Sequence, residues 1–329
     1  MSDTMNSYSP IAVLGAGAWG TALALHLARK GQTVTLWAYE KEQVDQINTM
    51  HANSRYLPEQ LLPASIVCSH EYQEVLAGVQ DILIVVPSTV FRVTLLAIKP
   101  FLLSNQRLLW ATKGLDEDKH QLLHEVASDI VGDIDKAVLS GPSFAKEVAI
   151  GLPTAVTIAS NKWEFANDLS RRFQSKNFRV ELTTDMVGVE LGGAIKNVLA
   201  IAVGIVEGLG FGANAKAAFI TQGLSEMIAL GLSLGAKQST FLGLSGLGDF
   251  ILTSTDNQSR NRRLGLALGQ GQTLKQAKKE LGTTEGVVTA NNIFYLLEKY
   301  KINAPICEAV YRILYEQQAP NILFDAYFK

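Results

Sequence analysis

The chemistry available to this chain is concentrated in a few residues whose neighbours make them unusual. Lys196 is the only charged side chain in Leu191-Gly192-Gly193-Ala194-Ile195-Lys196-Asn197-Val198-Leu199. An amine on an apolar helical stretch is costly unless it snorkels, pairs or acts. This segment alone leaves snorkelling and function both open. Desolvation would lower the pKa of such an amine towards neutrality, which suits proton transfer. Lys113 follows Leu108-Leu109-Trp110-Ala111-Thr112 and precedes Gly114. That is the C-terminal end of a strand, the ligand side of an α/β sheet, although an ordinary loop lysine fits the same pattern.

Asp249 closes the tight loop Gly243–Gly248, and Thr255-Asp256-Asn257-Gln258-Ser259-Arg260-Asn261-Arg262-Arg263 follows closely. Ser259, Arg260 and Asn261 stand at what reads as a helix start, a natural phosphate cradle of arginine and free N–H groups. A solvated basic helix end is the alternative. Cations at a helix N-terminus oppose the dipole, however, and an anionic partner would explain them. Gly141-Pro142-Ser143-Phe144-Ala145 follows another strand end. Its N–H groups and the Ser143 hydroxyl could hold a polar substrate, or Ser143 could simply cap the next helix.

Near the N-terminus, Gly15-Ala16-Gly17-Ala18-Trp19-Gly20 separates the apolar run Ile11–Leu14 from a helical stretch, Thr21–Lys30. Strand, glycine loop and helix in that order are what a dinucleotide-binding turn requires, with a purely structural turn as the alternative. Gly15 makes the turn, Gly17 lets backbone approach a pyrophosphate, and Gly20 lets helix pack on strand. The second strand ends Thr35-Leu36-Trp37-Ala38-Tyr39-Glu40. An acidic residue there favours NAD and a nearby arginine favours NADP; Glu40 and then Lys41 leave the choice open.

These residues need a scaffold, and the first half supplies the pattern of one. Strand-like runs at Thr33–Trp37, Ser65–Cys68, Asp81–Val86, Arg107–Ala111, Ala137–Ser140 and Thr154–Ala159 are separated by helical stretches such as Glu40–Met50, Thr89–Ile98 and Gln121–Val131. This predicts an α/β fold, an N-terminal Rossmann-type doubly wound sheet over 1–186. Beyond Asp185 the patterns are helical: Gly188–Glu207, Asn214–Leu234, Asn261–Leu268, Thr273–Glu280, Gly286–Tyr300 and Pro305–Tyr315. A mainly α-helical C-terminal domain over 187–329 follows. Gly208-Leu209-Gly210-Phe211-Gly212 resembles a nucleotide loop but follows a helix, so it reads as a break between helices.

Composition narrows the function classes. A net charge of -2 offers no footprint for nucleic acid. Cys68 and Cys307 form no Cys-x-x-Cys pair and read as buried thiols in a reducing compartment. The first seven residues lack the blocks of a signal peptide. The apolar stretch Val198–Gly210, broken by Glu207, falls short of the ~20 residues needed to span a membrane. The chain therefore reads as cytoplasmic. His120 and His124 stand one helical turn apart and read as a solvated helix face, with no zinc-type carboxylate set beside them. No residue partners Ser143 as a hydrolase triad would require.

Taken together, the segments Gly15–Gly20, Val85-Val86-Pro87-Ser88, Ala111–Leu115, Ser140–Glu147, Gly192–Asn197, Gly208–Asn214, Gly246–Asp249 and Thr255–Arg263 resemble the bacterial-type NAD(P)-dependent glycerol-3-phosphate dehydrogenases. The resemblance covers nearly the whole chain. It implies interconversion of dihydroxyacetone phosphate and sn-glycerol 3-phosphate with NADH or NADPH, and Lys196 as proton acceptor in the oxidation direction. It implies substrate contacts from Lys113, Gly141, Ser143, Asp249, Ser259, Arg260 and Asn261. Cofactor contacts would come from Ala18, Trp19, Tyr39, Lys113, Ala145, Arg260 and Glu285. Members are typically cytoplasmic, often homodimeric, and supply glycerophospholipid synthesis. Thr283, two residues before Glu285, departs from the aliphatic side chain usual there. On this reading Asp249 orients Lys196, and Lys113 adds positive potential beside it.

Two other readings compete. A lysine-dependent dehydrogenase of a 3-hydroxy or keto acid would also need Lys196 but would bind a carboxylate, with no use for the Ser259–Arg263 cluster. A non-catalytic nucleotide sensor would keep Gly15–Gly20 without needing Lys196, Lys113 and Asp249 together.

Overall fold

The computed structural model describes residues 8–282 and 284–329. The chain forms two compact units. One holds the residues up to Thr112 with Val126–Leu139 and Ser143–Thr184. The other holds Lys113–Glu125, Ser140–Pro142 and Asp185–Lys329. A single cut after residue 186 therefore does not separate them, because two short segments that follow strand ends belong with the second unit.

In chain order the strands are β1 (Ile11–Leu14), β2 (Val34–Trp37), β3 (Ala52–Asn53), β4 (Leu57–Leu61), β5 (Ile66–Ser69), β6 (Asp81–Ile84), β7 (Arg107–Trp110), β8 (Lys136–Ser140), β9 (Thr154–Ser160) and β10 (Phe178–Thr183). Among the described residues, eight of them form one sheet in the order β10-β9-β8-β7-β6-β1-β2-β5, while β3 pairs antiparallel with β4. β1 pairs in parallel with β2 on one side and β6 on the other. The chain thus leaves β1 in one direction and later returns on its other side. That reversal opens a crevice beyond the C-terminal end of β1, where doubly wound sheets bind ligands.

Burial follows from composition. β1 and β6 are buried throughout, as parallel strands covered on both faces are. The one charge in β6, Asp81, is fully buried but meets Arg107 Nε at 2.7 Å and Arg172 Nε at 3.1 Å, which compensate its desolvation. β10 lies beyond the last strand expected from sequence, although Phe-Arg-Val-Glu-Leu-Thr alternates as an edge strand should. The β3–β4 hairpin and the helix Trp163–Phe173 were likewise not anticipated.

The second unit is helical, and among the described residues no strand follows Thr183. Its axis is Met186–Gly208, 23 residues long, with the Asp185 side chain accepting from the Gly188 N–H at 2.9 Å as its N-cap. By length and composition this helix could cross a membrane, a longer apolar run than Val198–Gly210, yet it is buried within the unit. Helix Arg260–Gly269 crosses it almost backbone to backbone. A Cβ on Gly204 would lie 2.2 Å from the Arg262 carbonyl oxygen, and one on Gly265 would lie 2.0 Å from that of Ile201. Only glycine permits that approach, and it seats the start of the second helix against the helix that carries Lys196. Gly208–Gly212 does separate two helices, with Gly210 at φ 81.

Candidate active site

Lys196 is 7% exposed, so an apolar helix has carried an amine into the interior rather than to its surface. Lys196 Nζ lies 3.0 Å from Asp249 Oδ1 and donates to Thr253 Oγ1 at 2.7 Å. The other Asp249 oxygen, Oδ2, accepts from Lys113 Nζ at 2.6 Å. Lys113 Nζ also donates to the Gly141 carbonyl at 3.3 Å. One buried carboxylate is thus shared by two ammonium groups. It is held by the helix Asp249–Thr255, which follows a single π-type turn, Leu244–Gly248, rather than an irregular loop.

The electrostatics follow from this arrangement. Burial pushes Lys196 down from 10.5 to about 8; Asp249 pulls it back up, and Lys113 presses it down again. Burial alone would push the Asp249 carboxyl up, but Lys113 and then Lys196 outweigh it and hold it below its usual range. The result is an amine that exchanges a proton near neutral pH, aimed by a permanently charged carboxylate.

The cradle expected at Ser259–Asn261 is a helix start. Ser259 caps Arg260–Gly269, its hydroxyl accepting from the Arg262 N–H at 3.1 Å. Arg262 ties this end down, donating to both Glu207 oxygens at 2.7 and 2.8 Å. Arg260 is exposed at the first helical position. Asn261 donates to Asn197 Oδ1 at 2.9 Å and accepts from the Gly286 N–H at 3.1 Å. Asn197 in turn donates to Glu285 at 3.5 Å. A polar chain therefore runs from Glu285 through Asn197 to Asn261, one residue along the helix from Lys196. Thr283 lies outside the described residues.

Sequence reasoning missed Thr253 and gave Asn197 no role. The spacing Asp249–Thr253, one helical turn, was the signal for the first, and its hydroxyl also donates to Asp249 at 3.3 Å. Two expectations are corrected. Ser143 does not cap a helix: Ala145–Ile150 starts after Phe144 without a side-chain cap. His120 and His124 do not share a solvated helix face. His120 sits at φ 54 before the helix Leu123–Val131, bonds Asn292 at 2.6 Å and stacks on Tyr295, while His124 bonds the buried Glu190 at 2.6 Å.

Gly15, Gly17, Ala18, Trp19, Gly20, Tyr39, Ser143 and Ala145 fall in the first unit. Gly15, at φ 122, donates its N–H to the Trp37 carbonyl at 3.1 Å. A Cβ on Gly20 would lie 1.9 Å from the Gly15 carbonyl oxygen, so the helix closes directly on the turn. Gly17 is the opposite case: a Cβ there would meet nothing within 4 Å. The helix Ala18–Arg29 behind it has no side-chain cap and no acidic residue in its first turn. Open space before uncapped N–H groups fits a pyrophosphate. Gly17→Asp should leave the melting temperature within a few degrees, since the side chain fits and can cap the helix. It should weaken NADH about 10- to 100-fold, roughly 1.4–2.8 kcal/mol, by placing a carboxylate where the anion sits. Fluorescence titration beside a thermal melt checks both halves.

The chain is similar to known proteins along nearly its whole length. Residues 10–166 match the model of the NAD-dependent glycerol-3-phosphate dehydrogenase N-terminus, and 185–325 match that of the C-terminus. A glycerol-3-phosphate dehydrogenase [NAD(P)+] of Haemophilus ducreyi is 50% identical over 321 residues, 97% of this chain and 96% of that protein. The crystal structure of glycerol-3-phosphate dehydrogenase from Coxiella burnetii superposes with a TM-score of 0.94 at 48% identity, covering 98% of this chain and 99% of that one. The Saccharomyces cerevisiae glycerol-3-phosphate dehydrogenase structure gives a TM-score of 0.87 at 27% identity, covering 98% and 100%. With a dinucleotide turn on one unit, a buried lysine sharing one carboxylate with a second lysine on the other and matches along nearly its whole length, the chain belongs to the NAD(P)-dependent glycerol-3-phosphate dehydrogenases, a family of oxidoreductases.

Proposed function

We propose that this chain interconverts dihydroxyacetone phosphate and sn-glycerol 3-phosphate with NAD(H) or NADP(H), and that Lys196 is its general acid and base. The carrying observation is the single Asp249 carboxylate shared by Lys113 at 2.6 Å and Lys196 at 3.0 Å. When bound, the nicotinamide carries the hydride. Gly15–Gly20 with Ala18 and Trp19 hold the dinucleotide, and Tyr39, Lys113, Ala145, Arg260 and Glu285 complete its contacts.

In reduction, negative charge grows on the ketone oxygen as carbon 2 of the substrate gains hydride. Lys113 and Lys196 stabilise that charge, and Lys196 gives the oxygen its proton and becomes neutral. In oxidation, neutral Lys196 takes the proton from the C2 hydroxyl. Asp249 and Thr253 hold the amine in place throughout. Gly141 and Ser143 contact the substrate backbone, while Ser259, Arg260 and Asn261 take the phosphate, turning remote binding into alignment at the reacting carbon. The same reading carries a cytoplasmic homodimer that supplies glycerophospholipid synthesis.

The direct test is nicotinamide absorbance with dihydroxyacetone phosphate, NADH and NADPH being supplied separately. Turnover is expected, and none with either cofactor would refute the reading. Arg260→Ala should raise KM for dihydroxyacetone phosphate about 10- to 100-fold, in line with the roughly 1.5–3 kcal/mol of a charged hydrogen bond. With the cofactor held saturating, phosphate-free dihydroxyacetone should lose far less than dihydroxyacetone phosphate; equal losses on both substrates under that condition would reject the cradle.

A further inference from the structure

The choice between NAD(H) and NADP(H) has a physical candidate in the first unit that the strand-end pattern does not include. The ribose next to adenine is read at the end of the strand that follows the glycine loop. Here that strand is β2, whose last residue, Trp37, accepts the Gly15 N–H. Beyond it, Tyr39 is 84% exposed, and Glu40 precedes the helix Lys41–Met50. The Glu40 carboxylate is met at 2.7 Å by Arg55 Nη1. Arg55 comes from the turn joining β3 and β4, an element with no evident role in the sheet.

That turn is fastened to the glycine loop itself. Asn53 is fully buried, and its Nδ2 donates to the Ala16 carbonyl and to Thr21 Oγ1, each at 2.8 Å. Gln43, from the helix that Glu40 precedes, also donates to the Ala16 carbonyl at 2.8 Å and to Asn53 Oδ1 at 3.2 Å. One buried clamp thus registers the pyrophosphate loop, the end of β2 and the base of the Arg55 turn. The pair it presents is exposed, with 58% of the Arg55 side chain and 48% of that of Glu40 open to solvent. Exposed pairs of this kind add little to stability, so stability does not account for the Arg55–Glu40 pair.

We propose that Arg55 and Glu40 are the residues that select the cofactor. Glu40 accepts from the ribose 2′-hydroxyl of NAD(H). Arg55 leaves Glu40 to bind the 2′-phosphate of NADP(H), where a planar guanidinium takes two oxygens at once. Without Arg55, the Glu40 carboxylate would repel that phosphate. Because the pair is weak and wet, Arg55 can change partners at small cost, and one site serves both cofactors.

This rests on the dinucleotide reading above, and binding separates the two. The dissociation constants of NADH and NADPH are measured by fluorescence titration. Those of 5′-AMP and 2′-phospho-5′-AMP are measured by calorimetry, on the wild type, Arg55→Ala and Glu40→Gln. Wild type is expected to bind both dinucleotides. Arg55→Ala should weaken NADPH and the 2′-phosphorylated fragment at least tenfold while NADH stays within twofold. Glu40→Gln should move the ratio the other way, weakening NADH several-fold and sparing NADPH. Arg55→Ala weakening both cofactors equally, or neither, overturns the proposal with the dinucleotide reading intact. A wild type that binds neither dinucleotide removes both.

Discussion

Lys196→Met is expected to lower kcat about 10²- to 10⁴-fold in both directions, roughly 3–5.5 kcal/mol of transition-state stabilisation. The NADH dissociation constant should stay within about twofold. Methionine keeps most of the volume of the lysine stem in a site that is 7% exposed, so the packing loss is small and the amine is what disappears. The pH profile identifies the role. With Lys196 near 8, reduction needs the ammonium, and its rate falls as pH rises through that value. Oxidation needs the neutral amine, and its rate rises through the same value. Lys196→Met should flatten both inflections. Lys196→Arg should not restore them, because a guanidinium stays charged. Normal kcat in Lys196→Met would reject the acid–base role.

What could be read from sequence was what is local. Gly15–Gly20 is one turn with its strand and helix on either side, so six residues carried their own context. Lys196 stands out because its neighbours are apolar, but the nine-residue window leaves snorkelling and burial open, and only the packing of the helix decides for burial. The pairing that gives it a function was not visible in that way. Lys113 and Asp249 are 136 positions apart. Their contact is made by tertiary packing, in which Lys113–Glu125 joins the second unit although it follows a strand of the first. Arg55 escaped for a different reason. It lies between strands of two and five residues, too short to show a period, and Pro58 breaks the alternation of the second. β10, by contrast, carries its own signal in the alternation of Phe178-Arg179-Val180-Glu181.

The Asp249→Asn variant tests the pairing that the sequence supplied only through the family resemblance. It leaves shape and Thr253 in place and removes one negative charge from between two ammonium groups. Breaking a buried ion pair by deleting one partner costs about 3–5 kcal/mol of folding stability, so the melting temperature should fall. Separately, kcat/KM should fall by up to about 10²- to 10⁴-fold, the range of a general acid–base contribution, as Lys196 loses the group that aims it. Its direction on the pH axis is the sharper result. Asp249 is the group that raises Lys196, while burial and Lys113 lower it. Without the carboxylate both inflections should therefore move to the acid side of about 8. Oxidation should begin its rise at lower pH, and reduction should fail at lower pH, by the same amount. A carboxylate that merely held the helix Asp249–Thr255 in place would lower kcat without moving either inflection. Inflections left at their wild-type positions would assign Asp249 to the scaffold, and a shared displacement to lower pH would assign it to the proton.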